Sequence, residues 1–285
     1  MEKVAIITDS CGDVSLEYQK DNAIFVLPMV VQTSDGEYKD GVTITAKKVY
    51  EKQQKEVLKT ASPTGADICD IFEKVKEEGY THAIVVTLSS GLSGTYNQIK
   101  LIAEMEEHLE IHVIDSKSGS VGYGAVAILL AKYRDAGVSY EELVNIGERL
   151  ILDSYVYFSI DTLEHLEKGG RIGKAAALVG SLLNIKPILS FDKEQGEIFV
   201  PAKVRGRKGL QPKLMELVET HIEEQPERKY WIVVADGDLP EEHEELEGKL
   251  KDKYPNCQGM IHSVIGGALS TYLGAGLLGA GVVFV

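Results

Sequence analysis

Three short apolar runs rich in β-branched residues, each closed by Thr, Asp or Ser, constrain this chain more than anything else in it. Val4-Ala5-Ile6-Ile7 runs into Thr8-Asp9-Ser10, Ala83-Ile84-Val85-Val86-Thr87 into Leu88-Ser89-Ser90, and Ile111-His112-Val113-Ile114 into Asp115-Ser116. Such runs read as buried strands, and their alternation with helical patterns predicts a parallel, doubly wound sheet. Ligands of such sheets gather at the carboxyl ends of the strands, where the strand order reverses. The second run is the most informative. After it, Gly91-Leu92-Ser93-Gly94-Thr95-Tyr96 opens a helix whose apolar residues are Ile99, Ile102 and Met105. A helix start offers free N–H groups and the positive end of the dipole, so this turn favours an anion. Ser93 adds a hydroxyl donor there or, alternatively, only caps the helix.

The remaining pattern continues the alternation. Residues 23–31 are expected as one strand ending at the turn Ser34-Asp35-Gly36, and residues 43–58 as a helix capped by Thr45. Residues 59–65 read as a loop by composition. Residues 66–79 read as an amphipathic helix with Ile68, Ile71, Phe72 and Val75 on one face. Helices are expected over 122–136 and 140–152, and a strand over 155–160. Asp161 with Glu164 resembles a capping box for a short helix that stops at Lys168-Gly169-Gly170-Arg171-Ile172. An apolar stretch over 182–189 surrounds Lys186-Pro187, and residues 188–191 pair as a hairpin with 197–200. Helices over 210–223 and 241–254 alternate with strands over 231–235 and 259–265. The division is expected near residue 160. An α/β domain over 1–160 would carry the anion-binding loops, and an α+β domain over 161–285 would cover the rest of the ligand.

Composition narrows the function. Of the 285 residues, 30 are Lys or Arg and 44 are Asp or Glu; a net charge of −14 argues against nucleic acid as a general partner. One segment departs from this acidity: between residues 168 and 213, ten Lys or Arg stand against three Asp or Glu. Cys11, Cys69 and Cys257 are too few and too far apart for a disulfide framework, and suit a reducing compartment. No secretory signal is read at the start of the chain. Residues 260–285 hold no charged residue, but they are dense in Gly and lack interfacial anchors. They are expected as core strands around a Gly-rich turn rather than as a membrane span.

Catalytic and cofactor signatures are weak. Gly274-Ala275-Gly276-Leu277-Leu278-Gly279 matches GxGxxG in letters, yet no βαβ unit with an acidic residue follows it. Thr95 stands where GxSxG needs its second Gly, no Walker lysine follows a Gly-rich loop, and His108 and His112 share no helical face. Neither a metal, a cofactor nor a catalytic group is expected.

Taken together, Lys59-Thr60-Ala61-Ser62-Pro63, Ser90 to Tyr96, Ile114-Asp115-Ser116, the segment 163–172, Ile185-Lys186-Pro187-Ile188-Leu189 and Val204-Arg205-Gly206-Arg207-Lys208 resemble the DegV family. Its members are fatty-acid-binding proteins, the lipid-presenting partners of bacterial fatty acid kinase. The resemblance implies a cytoplasmic, non-enzymatic carrier. A single long-chain fatty acid would lie in an apolar tunnel between the two domains, its carboxylate presented to a separate kinase. It implies that Thr60 and Ser93 bind the carboxylate, with Thr271 and Tyr272 at the same end. Arg171 and Arg205 would face the head group or a partner. Asp9, Ser10, Ser62, Gly91, Gly94, Asp115 and Ser116 would support the loops. Each buried methylene contributes about 0.8 kcal/mol, so a dozen give on the order of 10 kcal/mol before association costs. Tail burial thus supplies affinity, and the hydroxyls decide which end faces out.

One position departs from the family. Its Thr-His pair with Gly-Pro-Gly close behind is here Thr271-Tyr272-Leu273-Gly274-Ala275-Gly276. A phenol donates a hydrogen bond but carries no positive charge at pH 7. Lipid binding is compatible with that change; coupling to a kinase is what it touches. Two alternatives therefore stay open: a lipid or small-molecule sensor that meets no kinase, and a phosphotransfer or hydrolytic enzyme built on Ser93.

Overall fold

The computed structural model describes residues 2–178 and 185–285. The first part of the expected apolar stretch, 182–184, lies outside the described residues. β1 (Val4–Asp9) leads through α1 (Leu16–Asp21) to its parallel neighbour β2 (Ile24–Leu27). The single strand expected over 23–31 is two. Pro28 has no N–H to continue a ladder; beyond it β3 (Val30–Thr33) pairs antiparallel with β4 (Gly36–Lys39) in a separate sheet. Thr45 caps α2 (Ala46–Gln53) as its spacing predicts, but the helix is shorter than 43–58. Lys59–Ala61, read as loop, forms β5 on the other edge of β3.

α3 (Gly65–Glu77) begins with a capping box between Thr64 and Asp67. β6 (His82–Thr87), α4 (Thr95–Ala103) and β7 (Glu110–Asp115) follow. The resulting four-stranded sheet, ordered β2-β1-β6-β7, is parallel throughout, and its order reverses between β1 and β6.

The next helix organises the molecule. α5 (Val121–Asp135) is buried at every residue from 121 to 131. A helix apolar on all sides needs partners on all sides. On one side it meets Val4, Ile6, Ile84 and Val86 of the parallel sheet; on the other it meets the second sheet. α6 (Tyr140–Leu152) packs on it and leads into β8 (Ser154–Ser159). The following short helix, α7 (Glu164–Gly169), lacks the Asp161 cap expected for it; Thr162 Oγ1 accepts the Glu164 N–H at 3.1 Å instead. β9 (Ile185–Phe191) and β10 (Ile198–Arg205) form the expected hairpin, with Phe191 opposite Ile198.

α8 (Leu210–Glu224), β11 (Tyr230–Gly237), α9 (Pro240–Lys253), β12 (Met260–Val264), α10 (Gly267–Leu273) and β13 (Leu277–Phe284) complete the chain. The second sheet is ordered β10-β9-β8-β13-β11-β12, with only β11 and β12 parallel. β8, which precedes the expected division at 160, belongs to it. The uncharged stretch over 260–285 is the edge strand β12, the short helix α10, which the expectation of strands around a turn lacked, and the inner strand β13. Gly274 and Gly276, from the GxGxxG match, take φ of +66° and +92° in the turn between α10 and β13. Among the described residues, no helix is long and apolar enough to cross a membrane.

Strand alternation divides the interior into layers. Ala5, Ile7, Ala83 and Val85 face α3 and α4 through Ile68, Phe72 and Ile99. Ile232, Val234 and Val282 face α8 and α9 through Leu214, Val218, Leu246 and Leu250. The fold is thus mixed α/β: helices, parallel sheet, α5, second sheet, helices.

Candidate functional site

Beside the start of α5, between the parallel sheet and the second sheet, lies a cavity of about 230 Å³. Most of its wall is apolar: Met29, Leu88, Val156, Phe158, Phe191 and Leu277 are representative. Ser120 and Tyr157 line it but spend their hydroxyls on Asp13 and His221; the polar side chains that meet one another come from four other segments. Thr60 stands on β5 and Ser62 just after it, Ser93 in the turn before α4, Arg171 after α7, and Tyr272 on α10.

These groups form a closed ring of contacts. Thr60 Oγ1 lies 2.9 Å from the Tyr272 hydroxyl, which also accepts the Thr60 N–H at 3.3 Å. The Arg171 guanidinium lies 5.2 Å from the Tyr272 ring centroid, in cation–π range. Its Nε donates to the Leu92 carbonyl at 3.3 Å, next to Ser93. Ser93 Oγ is 2.8 Å from Thr95 Oγ1, which is 2.9 Å from Ser62 Oγ and so returns the ring to the β5 segment. Arg171 makes its polar contacts with backbone carbonyls, Leu92 and Gly169, so its charge is balanced by no carboxylate among the described residues. An anion set inside this ring would meet hydroxyls and one guanidinium.

The local fold explains the positions. The N-cap of α4 is Gly94, with no side-chain cap; Ser93 Oγ reaches only the Thr95 N–H, at 3.3 Å. Ser93 therefore satisfies one N–H and leaves the rest of that helix start uncapped. A Cβ at Gly94 would meet nothing within 4 Å, whereas one at Gly91 would stand 2.2 Å from the Gln195 carbonyl. Gly91 is what lets the tip of the β9–β10 hairpin close on this turn, and the Ser89 Oγ bond to the Gly196 carbonyl, 2.8 Å, holds it there.

The remaining residues singled out in the sequence separate into two groups. Asp9 is buried at the switch point of the parallel sheet. It accepts from Cys11 N, Leu88 N and the Tyr123 hydroxyl at 2.9, 2.7 and 2.6 Å, tying the loop after β1 to the loop after β6. Burial pushes its carboxyl up to about 6 despite those three donors. Asp115 accepts from Ser90 N at 3.0 Å and pairs with Lys117 at 2.9 Å; these contacts outweigh its burial and hold its pKa below the usual value. Ser10 donates to Asp40 and Ser116 to the Ser118 carbonyl, so both brace loops without lining the cavity. Thr271 turns back to the Gly267 carbonyl, 3.0 Å away in its own helix. Arg205 is exposed at the far end of β10 from Ile198, the residue of that strand that lines the cavity. Seven steps along the strand separate them, roughly 20 Å.

Two participants escaped the sequence reading. Thr95 is fully buried and links Ser62 to Ser93; its signal was a hydroxyl at the first helical position, where capping made it look ordinary. Gln53, the last residue of α2, donates to the carbonyls of Ser270 and Thr271 in α10, both at 2.9 Å. No group of three or more His, Cys, Asp or Glu among the described residues is placed to hold a metal ion.

Comparison with known proteins gives a consistent result. The model of the family described as "Uncharacterised protein, DegV family" matches residues 3–285. A DegV domain-containing protein of Clostridium acetobutylicum is 39% identical over 280 residues, covering 98% of each chain. Among solved structures, the fold is similar to that of a DegV family protein from Thermus thermophilus described for its fatty acid binding. The TM-score is 0.91 at 25% identity, over 99% of this chain and 100% of the other. It is also similar to a stearic-acid-binding protein from Eubacterium ventriosum, with a TM-score of 0.89 at 25% identity over 99% and 98% of the two chains.

Proposed function

This chain belongs to the DegV family, and on that premise we propose that it binds one long-chain fatty acid, tail in the apolar cavity and carboxylate in the ring of hydroxyls. The observation that carries the proposal is the ring itself. An apolar cavity would take any oily ligand, but Thr60, Ser93, Tyr272 and Arg171, which pairs with no carboxylate among the described residues, would select one with an anionic or strongly accepting head. The fatty acids named for the similar structures fit that description. Thr60 and Ser93 would bind the carboxylate, Arg171 would neutralise it, and Asp9, Gly91, Gly94, Asp115 and Ser62 would keep the loops in place. Arg205, far along β10, would serve a docking partner rather than the head group. On this reading the chain divides near residue 160 into a unit carrying the carboxylate loops and one covering the tail, with β8 counted in the second.

Among the described residues, Ser93 has Thr95 as its side-chain partner and no carboxylate or imidazole bonded to it, which supports a carrier over a serine enzyme. The finer reading is a cytoplasmic protein that offers the carboxylate to a separate kinase. Tyr272 favours a second one, a lipid sensor that meets no kinase, because a phenol supplies no cation to a developing acyl phosphate.

Native mass spectrometry of the purified protein is expected to show a fatty acid bound one to one. Thr60→Ala and Ser93→Ala should each weaken binding by about 1.5–3 kcal/mol, the worth of a hydrogen bond to a charged group. A protein that purifies empty and ignores added palmitate or oleate overturns the proposal. Acyl-phosphate formation when a fatty acid kinase is added would separate the kinase-coupled carrier from the sensor.

A further inference from the structure

In chain order α10 joins β12 to β13 of the second sheet, yet its polar contacts beyond its own helix run to the other side of the molecule. At its start, Asp13 Oδ1 accepts the Gly266 N–H and Asp40 Oδ1 the Gly267 N–H, both at 2.8 Å. At its end, Ser270 Oγ donates to the Tyr50 hydroxyl at 2.9 Å, and Gln53 Nε2 donates to the Ser270 and Thr271 carbonyls. The last carbonyls of a helix have no partner within it; that of Ser270 also accepts the Gly274 N–H of the cap at 2.9 Å. Two carbonyls can only accept, so Gln53 must present its NH₂ edge to them. Those carbonyls belong to the two residues immediately before Tyr272. Seven residues after Gln53 the same chain segment supplies Thr60, whose hydroxyl meets the Tyr272 phenol. One short stretch therefore fixes both members of the pair that closes the ring: Thr60 directly, Tyr272 through the backbone of α10.

We infer that Gln53 is the positioning residue for the Tyr272 phenol, and that through it Gln53 sets affinity for the anionic head without touching the ligand. The inference rests on the proposal that this ring holds a carboxylate. Gln53 is not among the residues lining the cavity, so an effect on binding must travel through α10. The phenol has few ways to compensate. The Gly169 backbone lies against one edge of its ring, where an added Cβ would come within 2.3 Å of Cδ1, and Arg171 lies within cation–π reach. A shift of the last turn of α10 moves the hydroxyl relative to Thr60 at once.

The test is a double-mutant cycle read by titration with a fluorescent polyene fatty acid, with thermal unfolding recorded for every protein. Gln53→Met keeps the length of the side chain and removes both donors. Tyr272→Phe removes the hydroxyl. Each is expected to weaken binding about five- to tenfold, and the double variant to bind within twofold of Tyr272→Phe alone, because the second change has nothing left to misplace. A merely structural Gln53 would give losses that multiply; that outcome, or unchanged binding in Gln53→Met, overturns the inference and leaves the binding site standing. Unchanged binding in Tyr272→Phe overturns the reading of the ring and the inference with it. Should Gln53→Met fail to fold, Gln53→Glu, which keeps shape and polarity but cannot donate, is expected to give the same pattern in the cycle.

Discussion

A carboxylate buried where the sheet changes direction is an expensive way to join two loops, and Asp9 shows what holds it. It has three donors, yet desolvation wins and its pKa sits at about 6. The consequence for stability has a definite sign. A carboxyl whose pKa rises on folding stabilises the fold fully below its unfolded value near 3.8, and that contribution is lost as pH climbs through about 6, roughly 3 kcal/mol in all. Asp13 and Asp40 are also raised by burial and act in the same direction. Carboxyl ¹³C shifts of Asp9 are expected to titrate with a midpoint near 6. A midpoint near 4 would mean that its three hydrogen bonds fully offset its removal from water. None of the three touches the head-group ring directly. Their work is to hold loops and the start of α10.

Among the elements, α5 depends on absent side chains. A Cβ on Gly124 would lie 1.9 Å from the Gly12 carbonyl oxygen, a backbone atom of the turn after β1. Ala is the better helix former by roughly 0.5–1 kcal/mol, but overpacking against backbone costs more, typically 1–3 kcal/mol. Gly124→Ala is expected to destabilise by about 2 kcal/mol or more in urea unfolding. Gly248→Ala, in α9 with nothing within 4 Å of the new methyl, should stabilise by roughly 0.5–1 kcal/mol. Equal effects at the two sites would remove the close approach as the reason for Gly124. Elements were also where the sequence was most and least readable. β1, β6, β7 and α6 were plain, because unbroken apolar runs and helical spacing are local signals. β5 was not: Lys59, Thr60 and Ala61, two of them polar, become a strand only because the edge of β3 is there to pair with. The break at Pro28 was hidden inside a continuous apolar run. At the site, Ser93 was legible from the helix start it precedes, Thr60, Arg171 and Tyr272 came from a family likeness, and the four do converge. Gln53 could not have been found, since its two acceptors lie more than two hundred residues away in sequence.

At the scale of the whole molecule, the residues around α5 belong to a single buried cluster that takes in both large sheets. Unfolding is therefore expected to be one cooperative transition. Trp231, the only tryptophan, reports the second sheet from β11. Its fluorescence and far-ultraviolet circular dichroism should give coincident curves, whereas two separated steps would mean two independently stable units. The crossing of α10 adds a constraint of another kind. Because Asp13, Asp40, Tyr50 and Gln53 rivet that short helix to the opposite half, the halves are not free to part like a shell. On the proposed function, a long aliphatic guest would have to slide in end first past side chains that yield, and leave the same way.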